Sequence, residues 1–209
     1  LTKYTPHKKL KNFRLFDTVG LGKSYRQGFY LKPVLKVVKG DIRPEDKFKP
    51  STPIHEGSKE FRSDPYRKRR FHCVVFVCDA NVIGPDNISR TKIKDLKHEL
   101  QSLDIPVIVL LTKIDVLCEL VEEDIENTYR SRKVKEAVLL AQELFDVPKQ
   151  NIFPVTNYKA EMKMDVKNDI LSLLALRQMI SIGRDPFLRK KVPKKISRRN
   201  RNETPLLLL

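Results

Sequence analysis

Four short apolar runs, each followed by a polar or turn-like cluster, constrain the fold of this chain more than any other feature. Within each run the hydrophobicity is continuous rather than alternating, and the residues are rich in Val, Ile and Phe. That composition is typical of parallel strands covered on both faces. We therefore predict parallel strands at Phe13–Phe16, Phe71–Cys78, Ile105–Leu111 and Ile152–Val155.

Three further segments carry apolar residues at helical spacing. The spacing predicts amphipathic helices over Asn87–Leu103, Ser131–Phe145 and Asp165–Ile182. Alternating strands and helices predict a doubly wound α/β fold, with a mainly parallel sheet flanked by helices and ligands at the carboxyl ends of the strands. The 209 residues leave room for one such domain, and no apolar run approaches the ~20 residues of a membrane span.

The net charge of +16 is unevenly distributed along the chain. Residues 1–70 carry +12, residues 71–183 carry −3 and residues 184–209 carry +7. This excess favours salt-sensitive contact with nucleic acid, acidic lipid or an acidic protein surface, and solvated flanks that bind nothing are an equally good interpretation. Prolines interrupt the charged residues at about 40–70, which predicts an irregular insertion, and residues 184–209 are predicted to be a basic, disordered tail.

The cysteines and histidines give no pattern of a metal or hydrolytic site. The three cysteines lack C-x-x-C spacing, and Cys73 and Cys78, five residues apart, would point to opposite faces of a strand. We expect buried thiols. The four histidines are scattered without a nucleophile-elbow pattern, and His98 is expected on a helix surface.

The stretch FRLFDTVGLGKS at 13–24 contains two overlapping nucleotide motifs. Its closing GKS resembles the end of a P-loop, but Asp17 stands where that pattern needs its first Gly. A carboxylate at this position would repel a triphosphate, and a glycine and a proline interrupt the segment that should become the supporting helix. The D-x-x-G pattern from Asp17 to Gly20 requires only an apolar strand that ends in an Asp near magnesium and a Gly that approaches the γ-phosphate. We therefore interpret the stretch as D-x-x-G.

A second element follows the third predicted strand. The residues TKID at 112–115 are a variant of N-K-x-D, which reads guanine. Its carboxylate, Asp115, would accept hydrogen bonds from the ring N–H and the exocyclic amine, while the stem of Lys113 would lie over the base. Thr112 replaces the Asn, so an amide able to brace neighbouring loops is lost and guanine preference is less secure.

A third element follows the fourth predicted strand, where Thr156 and Asn157 stand at the place of a last base-contacting loop. Each element alone has an ordinary alternative. Asp17 could cap a turn, and Lys113 could form a loop salt bridge with Asp115. Their order at successive strand ends favours a nucleotide-binding G domain over these alternatives.

The runs LTKYTPHKKLKNFRLFDTVGLGKSYRQG, LLTKIDVLCE and IFPVTNY together resemble the interferon-induced protein 44 family, over Leu1 to about Arg184. The resemblance implies a partial G domain at 1–183, of P-loop NTPase type and truncated at the N-terminus, whose P-loop would lie upstream of Leu1. It also implies an interferon-inducible, cytoplasmic, antiviral or antiproliferative protein of innate immunity, often with an N-terminal TLDc-type domain.

The family scheme implies GTP and Mg²⁺ as cofactors. Asp17 and Gly20 would belong to the magnesium and γ-phosphate element, Lys113 and Asp115 to the base-reading element, and Thr156 with Asn157 to the final loop. Without a P-loop, these residues are expected to bind GTP poorly. Leu21 stands where small GTPases often place a Gln that orients water, so the protein is expected to be at most a slow GTPase, acting through protein partners of innate immunity and a homodimer formed by the G domain.

Two other functions remain open from the sequence. One is a degenerate scaffold in which the G fold survives without nucleotide. The other is a nucleic-acid or acidic-surface binder driven by the basic flanks, which predicts affinity that falls steeply with salt. The flanks lack the aromatic and glycine interleaving of an RNA-binding platform, so this alternative ranks third.

Overall fold

The computed structural model describes residues 2–4, 13–18, 31–41, 70–84, 90–158, 164–189 and 204–208. Within these ranges the strands are β1 (Thr2–Tyr4), β2 (Phe13–Asp17), β3 (Cys73–Asp79), β4 (Val107–Thr112), β5 (Ile152–Pro154) and β6 (Thr204–Leu208). The helices are α1 (Leu31–Lys39), α2 (Arg90–Ser102), α3 (Ile114–Leu117), α4 (Glu119–Glu123), α5 (Arg132–Phe145) and α6 (Val166–Arg189), with 3₁₀ turns at Ile125–Tyr129 and Lys149–Asn151.

These strands form one sheet in the order β1-β2-β6-β3-β4-β5. β1 is antiparallel to β2, and each of the other neighbouring pairs is parallel. The register sets Asp17 beside Leu208 and Asp79 beside Thr112, so the parallel strands end at one edge of the sheet. The predicted mainly parallel α/β architecture is confirmed.

The connections explain how the helices cover the sheet. From β2 to β5 the chain moves in one direction across the sheet, whereas α6 returns it from the β5 edge to β6 near the centre. Parallel crossovers are right-handed, so α1, α2 and α5 lie on one face and α6 lies on the other. The contacts agree, since α2 packs between α1 and α5, and α6 packs on β3, β5 and β6.

The centre of the molecule is built from β3 and β4. Most side chains of both strands are buried whichever face they point to, as their continuous apolar sequence predicts. Phe76 on β3 meets Phe145 on α5 with ring centroids 4.8 Å apart. β6 is the neighbour of β3 on the side away from β4. There Cys73 of β3 is in register with Leu206 of β6, and both side chains are fully buried.

The predicted helices are present with shifted ends. α5 begins after Ser131, whose hydroxyl accepts a hydrogen bond from the Val134 amide at 3.3 Å and caps the helix. α2 is described from Arg90, because 85–89 lie outside the described residues, and α6 continues to Arg189. Most of the predicted insertion, 42–69, also lies outside them, and the proposed domain boundaries stay predictions.

The end of the chain departs from the expected disordered tail. Residues 184–189 continue α6, and Thr204–Leu208 form β6 between β2 and β3; residues 190–203 lie outside the described part. The physical reason is that β2 and β3 do not pair with each other, so each offers backbone N–H and C=O groups to a strand between them. The segment TPLLL pairs with five residues of β2 and three of β3, and the side chain of Leu206 is buried.

Other side-chain chemistry is sparse in the described residues. Cys73, Cys78 and Cys118 are buried free thiols, as expected, and Cys73 and Cys78 point to opposite faces of β3. Among the described side chains, no group of three or more His, Cys, Asp or Glu could hold a metal ion. No helix in the described ranges has both the length and the apolar character to cross a membrane.

Because Leu206 is buried, we predict that shortening its side chain destabilises the protein. Leu206→Ala should lower the free energy of unfolding by about 2–5 kcal/mol, because it removes a fully buried side chain at the sheet centre. Urea denaturation monitored by circular dichroism measures it. The matched control is Leu139→Ala on α5, where the side chain is exposed and a change below about 0.5 kcal/mol is expected. Equal effects of the two substitutions would contradict the central placement of β6.

Burial of His72 predicts a pH dependence of stability. Burial lowers the pKa of His72 from 6.5 to about 4. As the pH falls below 6.5, His72 becomes protonated in the unfolded chain, whereas in the folded chain it stays neutral until about pH 4. The free energy of unfolding should therefore fall across this window, by on the order of 3 kcal/mol from this residue. Denaturant midpoints measured between pH 7 and 4 test this: His72→Asn should flatten the profile, whereas the control His98→Asn, at an exposed position on α2, should leave it unchanged.

Candidate functional site

The C-terminal ends of the five parallel strands lie along one side of the sheet, which we call the carboxyl edge. β2 ends at Asp17, β3 at Asp79 and β4 at Thr112, with Lys113 and Asp115 immediately after. The structure thus brings Asp17 and the Lys113–Asp115 pair to the same edge. They are not adjacent: β6 and β3 lie between β2 and β4, which corresponds to a separation of about 14 Å at the usual strand spacing.

Lys113 is held in an unusual backbone conformation. Its φ of 59° and ψ of 37° are left-handed, which is uncommon for a residue other than glycine. This residue turns the chain from the end of β4 into α3. Its Nζ lies 2.8 Å from Oδ2 of Asp79 at the end of the neighbouring strand. The lysine stem therefore runs across the edge from β4 towards β3.

Asn81 binds both members of this ion pair. Its backbone N–H and its side-chain Nδ2 donate to Oδ1 of Asp79 at 2.9 and 2.8 Å, and Nδ2 also lies 3.2 Å from the Lys113 carbonyl. Partial burial raises the pKa of Asp79, but the hydrogen bonds from Lys113 and Asn81 outweigh it, so the pKa lies below the usual value. Asp79 is a carboxylate at neutral pH. We name Asp79, Asn81 and Lys113 the edge triad.

Thr112 adds a side-chain hydrogen bond to the backbone hydrogen bonds that join β3 and β4. Its side chain is buried, and its hydroxyl donates to the carbonyl of Cys78 at 3.1 Å. The sequence predicts the loss of a bracing amide where Thr112 replaces Asn. In the structure the side-chain amide of Asn81, in the turn after β3, donates a hydrogen bond to the carbonyl of Lys113. A bracing amide is therefore present, supplied from another position.

Asp115 and the loop after β5 complete the edge. Asp115 lies in the first turn of α3 and is only 9% exposed. Thr156 donates through its hydroxyl to Oδ1 of Asn168 on α6 at 3.1 Å, so it joins the loop to the helix, and Asn157 is exposed. Asp17 is also exposed, whereas Gly20 lies outside the described residues.

Sequence reasoning missed Asp79 and Asn81. A signal was present, since Asp79 directly follows the apolar run of β3 just as Asp17 follows that of β2. What the sequence lacked was a recognised motif around Asp79. The contact between Asp79 and Lys113 also joins residues 34 positions apart, which no local pattern reports.

Comparison with known proteins places the chain in a family. It is 32% identical to human interferon-induced protein 44-like over 179 residues, covering 84% of this chain and 39% of the relative. It is 31% identical to mouse interferon-induced protein 44 over 169 residues, covering 80% and 40%. The chain belongs to the interferon-induced protein 44 family.

Human interferon-induced protein 44 is a further family relative, 29% identical over 177 residues that cover 84% of the chain and 39% of the relative. The chain thus spans about two fifths of the length of the family members it matches. No protein-family model matches it. No solved structure gives a significant match.

The edge triad predicts an energetic coupling between Asp79 and Lys113. The double-mutant cycle of Asp79→Ala and Lys113→Ala should give a coupling of about 0.5–1 kcal/mol in urea denaturation, because Lys113 is half exposed and water screens the pair. The exposed Arg132–Glu136 pair on α5 is the control, with a coupling of about 0.3–0.5 kcal/mol.

The coupling should also depend on pH in a defined direction. Because the folded-state pKa of Asp79 is depressed, its contribution is present above about pH 4 and is lost as the pH falls through the folded value. Zero coupling at neutral pH would mean that the contact contributes nothing to the folded state.

Proposed function

We propose that this chain is the nucleotide-recognising part of an interferon-inducible protein of innate immunity, and that its carboxyl edge binds a guanine nucleotide to control contacts with protein partners. The observation that carries the proposal is the common edge of Asp17 and of Lys113 with Asp115, in the order expected from their motifs. The relatives, which are named as interferon-induced, support the immune context.

The chemistry of base recognition rests on the segment after β4. A guanine ring offers two donors, the ring N–H and the exocyclic amine, which suit the two oxygens of the Asp115 carboxylate. The stem of Lys113 offers apolar surface for the base plane, and its ammonium is already oriented by Asp79. The exposed fraction of Asp115 is small, so recognition would require α3 to move or the side chain to turn outward.

Phosphate recognition is much less complete within these residues. Asp17 is exposed at the edge and suits Mg²⁺, which binds through one or two carboxylates with phosphate oxygens and water as its other ligands. The sequence GKS at 22–24 ends like a glycine-rich P-loop, but Asp17 stands where that loop needs its first Gly. Most attraction for a triphosphate depends on such a loop, so we expect weak binding by the 209 residues and slow or no hydrolysis.

A degenerate scaffold is the second candidate function. It is favoured by the polar groups of the edge that already bind other protein groups: Lys113 binds Asp79, and Thr156 binds Asn168. In that case the edge maintains the fold and the chain acts through its surfaces alone. The two functions differ in whether any form of the protein responds to guanine.

A nucleotide titration separates the two candidates. In a longer form of the protein, extended to the length of its relatives, we expect binding of fluorescent GTP, and much weaker binding by the 209-residue chain. Asp115→Asn should weaken GTP binding by about 10-fold to 100-fold and favour xanthosine triphosphate, whose ring carbonyl accepts a hydrogen bond from the new amide. Asp104→Asn, at the turn after α2, is the control. No binding by the longer form would leave the scaffold as the function.

A further inference from the structure

α6 carries large apolar side chains on two opposite faces. One face packs on the sheet and buries Leu171, Ala175 and Met179. The other face exposes Val166, Ile170, Leu173 and Leu174, with exposed fractions from 43% to 71%. We call these four residues the α6 stripe.

The spacing of the α6 stripe makes it a continuous surface. Its residues lie at positions i, i+4, i+7 and i+8, which fall within one face of a helix about 100° wide. Isolated exposed apolar residues are ordinary, but a contiguous patch of four marks a contact surface. Leu176 and Ile180, half-buried, border the stripe towards the end of the helix.

The charges beside the α6 stripe make it complementary to itself. Asp169 lies near its start, where its Oδ1 accepts a 2.9 Å hydrogen bond from the Tyr158 hydroxyl. Arg177 lies near its end and is exposed. Each is four residues, about 6 Å along the axis, from Leu173. When two such helices run antiparallel with Leu173 at the two-fold axis, Asp169 of each copy therefore faces Arg177 of the other.

We propose that the α6 stripe is a homodimer interface, in which two copies of this chain pair antiparallel along α6 with Leu173 at the two-fold axis. In this register Ile170 packs against the partner's Leu176, and Val166 packs against the partner's Ile180. The two-fold axis generates the Asp169–Arg177 contact twice. The dipoles of the two helices point in opposite directions, which favours their side-by-side packing.

The proposed dimer is independent of the proposed nucleotide function. α6 starts at the carboxyl edge, after β5, and runs away from it. An antiparallel pair therefore sets the two carboxyl edges at opposite ends of the dimer, and neither copy adds a residue to the edge of the other. Failure of one proposal leaves the other unaffected.

Sedimentation of the 209-residue chain across a concentration series tests the interface. We expect a monomer–dimer equilibrium. Leu173→Asp should raise the dissociation constant at least 10-fold, because two carboxylates would then meet at the two-fold axis. The matched control is Leu139→Asp on α5, an exposed leucine outside the stripe, which should leave the equilibrium unchanged. Circular dichroism verifies that both variants keep the fold.

Cross-linking tests the register. Leu173→Cys should form an intermolecular disulfide on mild oxidation, since the two thiols would meet at the axis. The control Val116→Cys, exposed on α3, should not, and the three native thiols are buried. Asp169→Arg and Arg177→Glu should each weaken the dimer, and the double substitution should restore it.

Two results would overturn the proposal. The first is a chain that stays monomeric at every soluble concentration, with no disulfide through Cys at 173. That result would mean that another polypeptide, or another part of a longer protein, covers the stripe. The second is a dimer that Leu173→Asp and Leu139→Asp affect equally, which would place the contact elsewhere.

Discussion

The parallel pairing of β3 with β4 is the constraint on which the rest of the structure depends. Both strands are buried on both faces, so their register is fixed by packing as well as by hydrogen bonds. That register sets Asp79 beside Thr112. Asn81 follows Asp79 within two residues, and Lys113 follows Thr112 directly. The register of β3 and β4 therefore brings the three residues of the edge triad together.

The sequence predicted the parts of the fold that depend on local composition. Continuous runs of Val, Ile and Leu identified β3 and β4, and helical spacing identified α2, α5 and α6. Position at a strand end also predicted that Asp17 and Lys113 share an edge. The sequence could not reveal that Asp79 binds Lys113 or that Asn81 supplies the bracing amide, since both contacts need the register of two strands that are far apart in the chain.

β6 illustrates a different limit of sequence reasoning. Thr204–Leu208 follow a strongly basic segment, and such a composition is typical of a solvated tail. The segment becomes a strand because β2 and β3 leave a gap, and the gap is a property of the whole sheet. Pro205 is in register with Arg14 of β2, whereas pairing with β3 starts only at Leu206, so no N–H of Pro205 is needed on the β3 side.

The edge triad holds the side chain of Lys113 in place before any ligand binds. The half-exposed ion pair contributes about 1 kcal/mol or less to the free energy of folding, so this orientation has little effect on stability. Asn81 meanwhile holds Asp79 through two hydrogen bonds, so the carboxylate stays in place when the lysine moves. An unrestrained lysine loses about 2 kcal/mol of side-chain entropy on ordering, and Asp79 removes part of that loss before any ligand arrives. The contact that occupies Lys113 in the scaffold interpretation is therefore the same contact that would prepare it to bind a base.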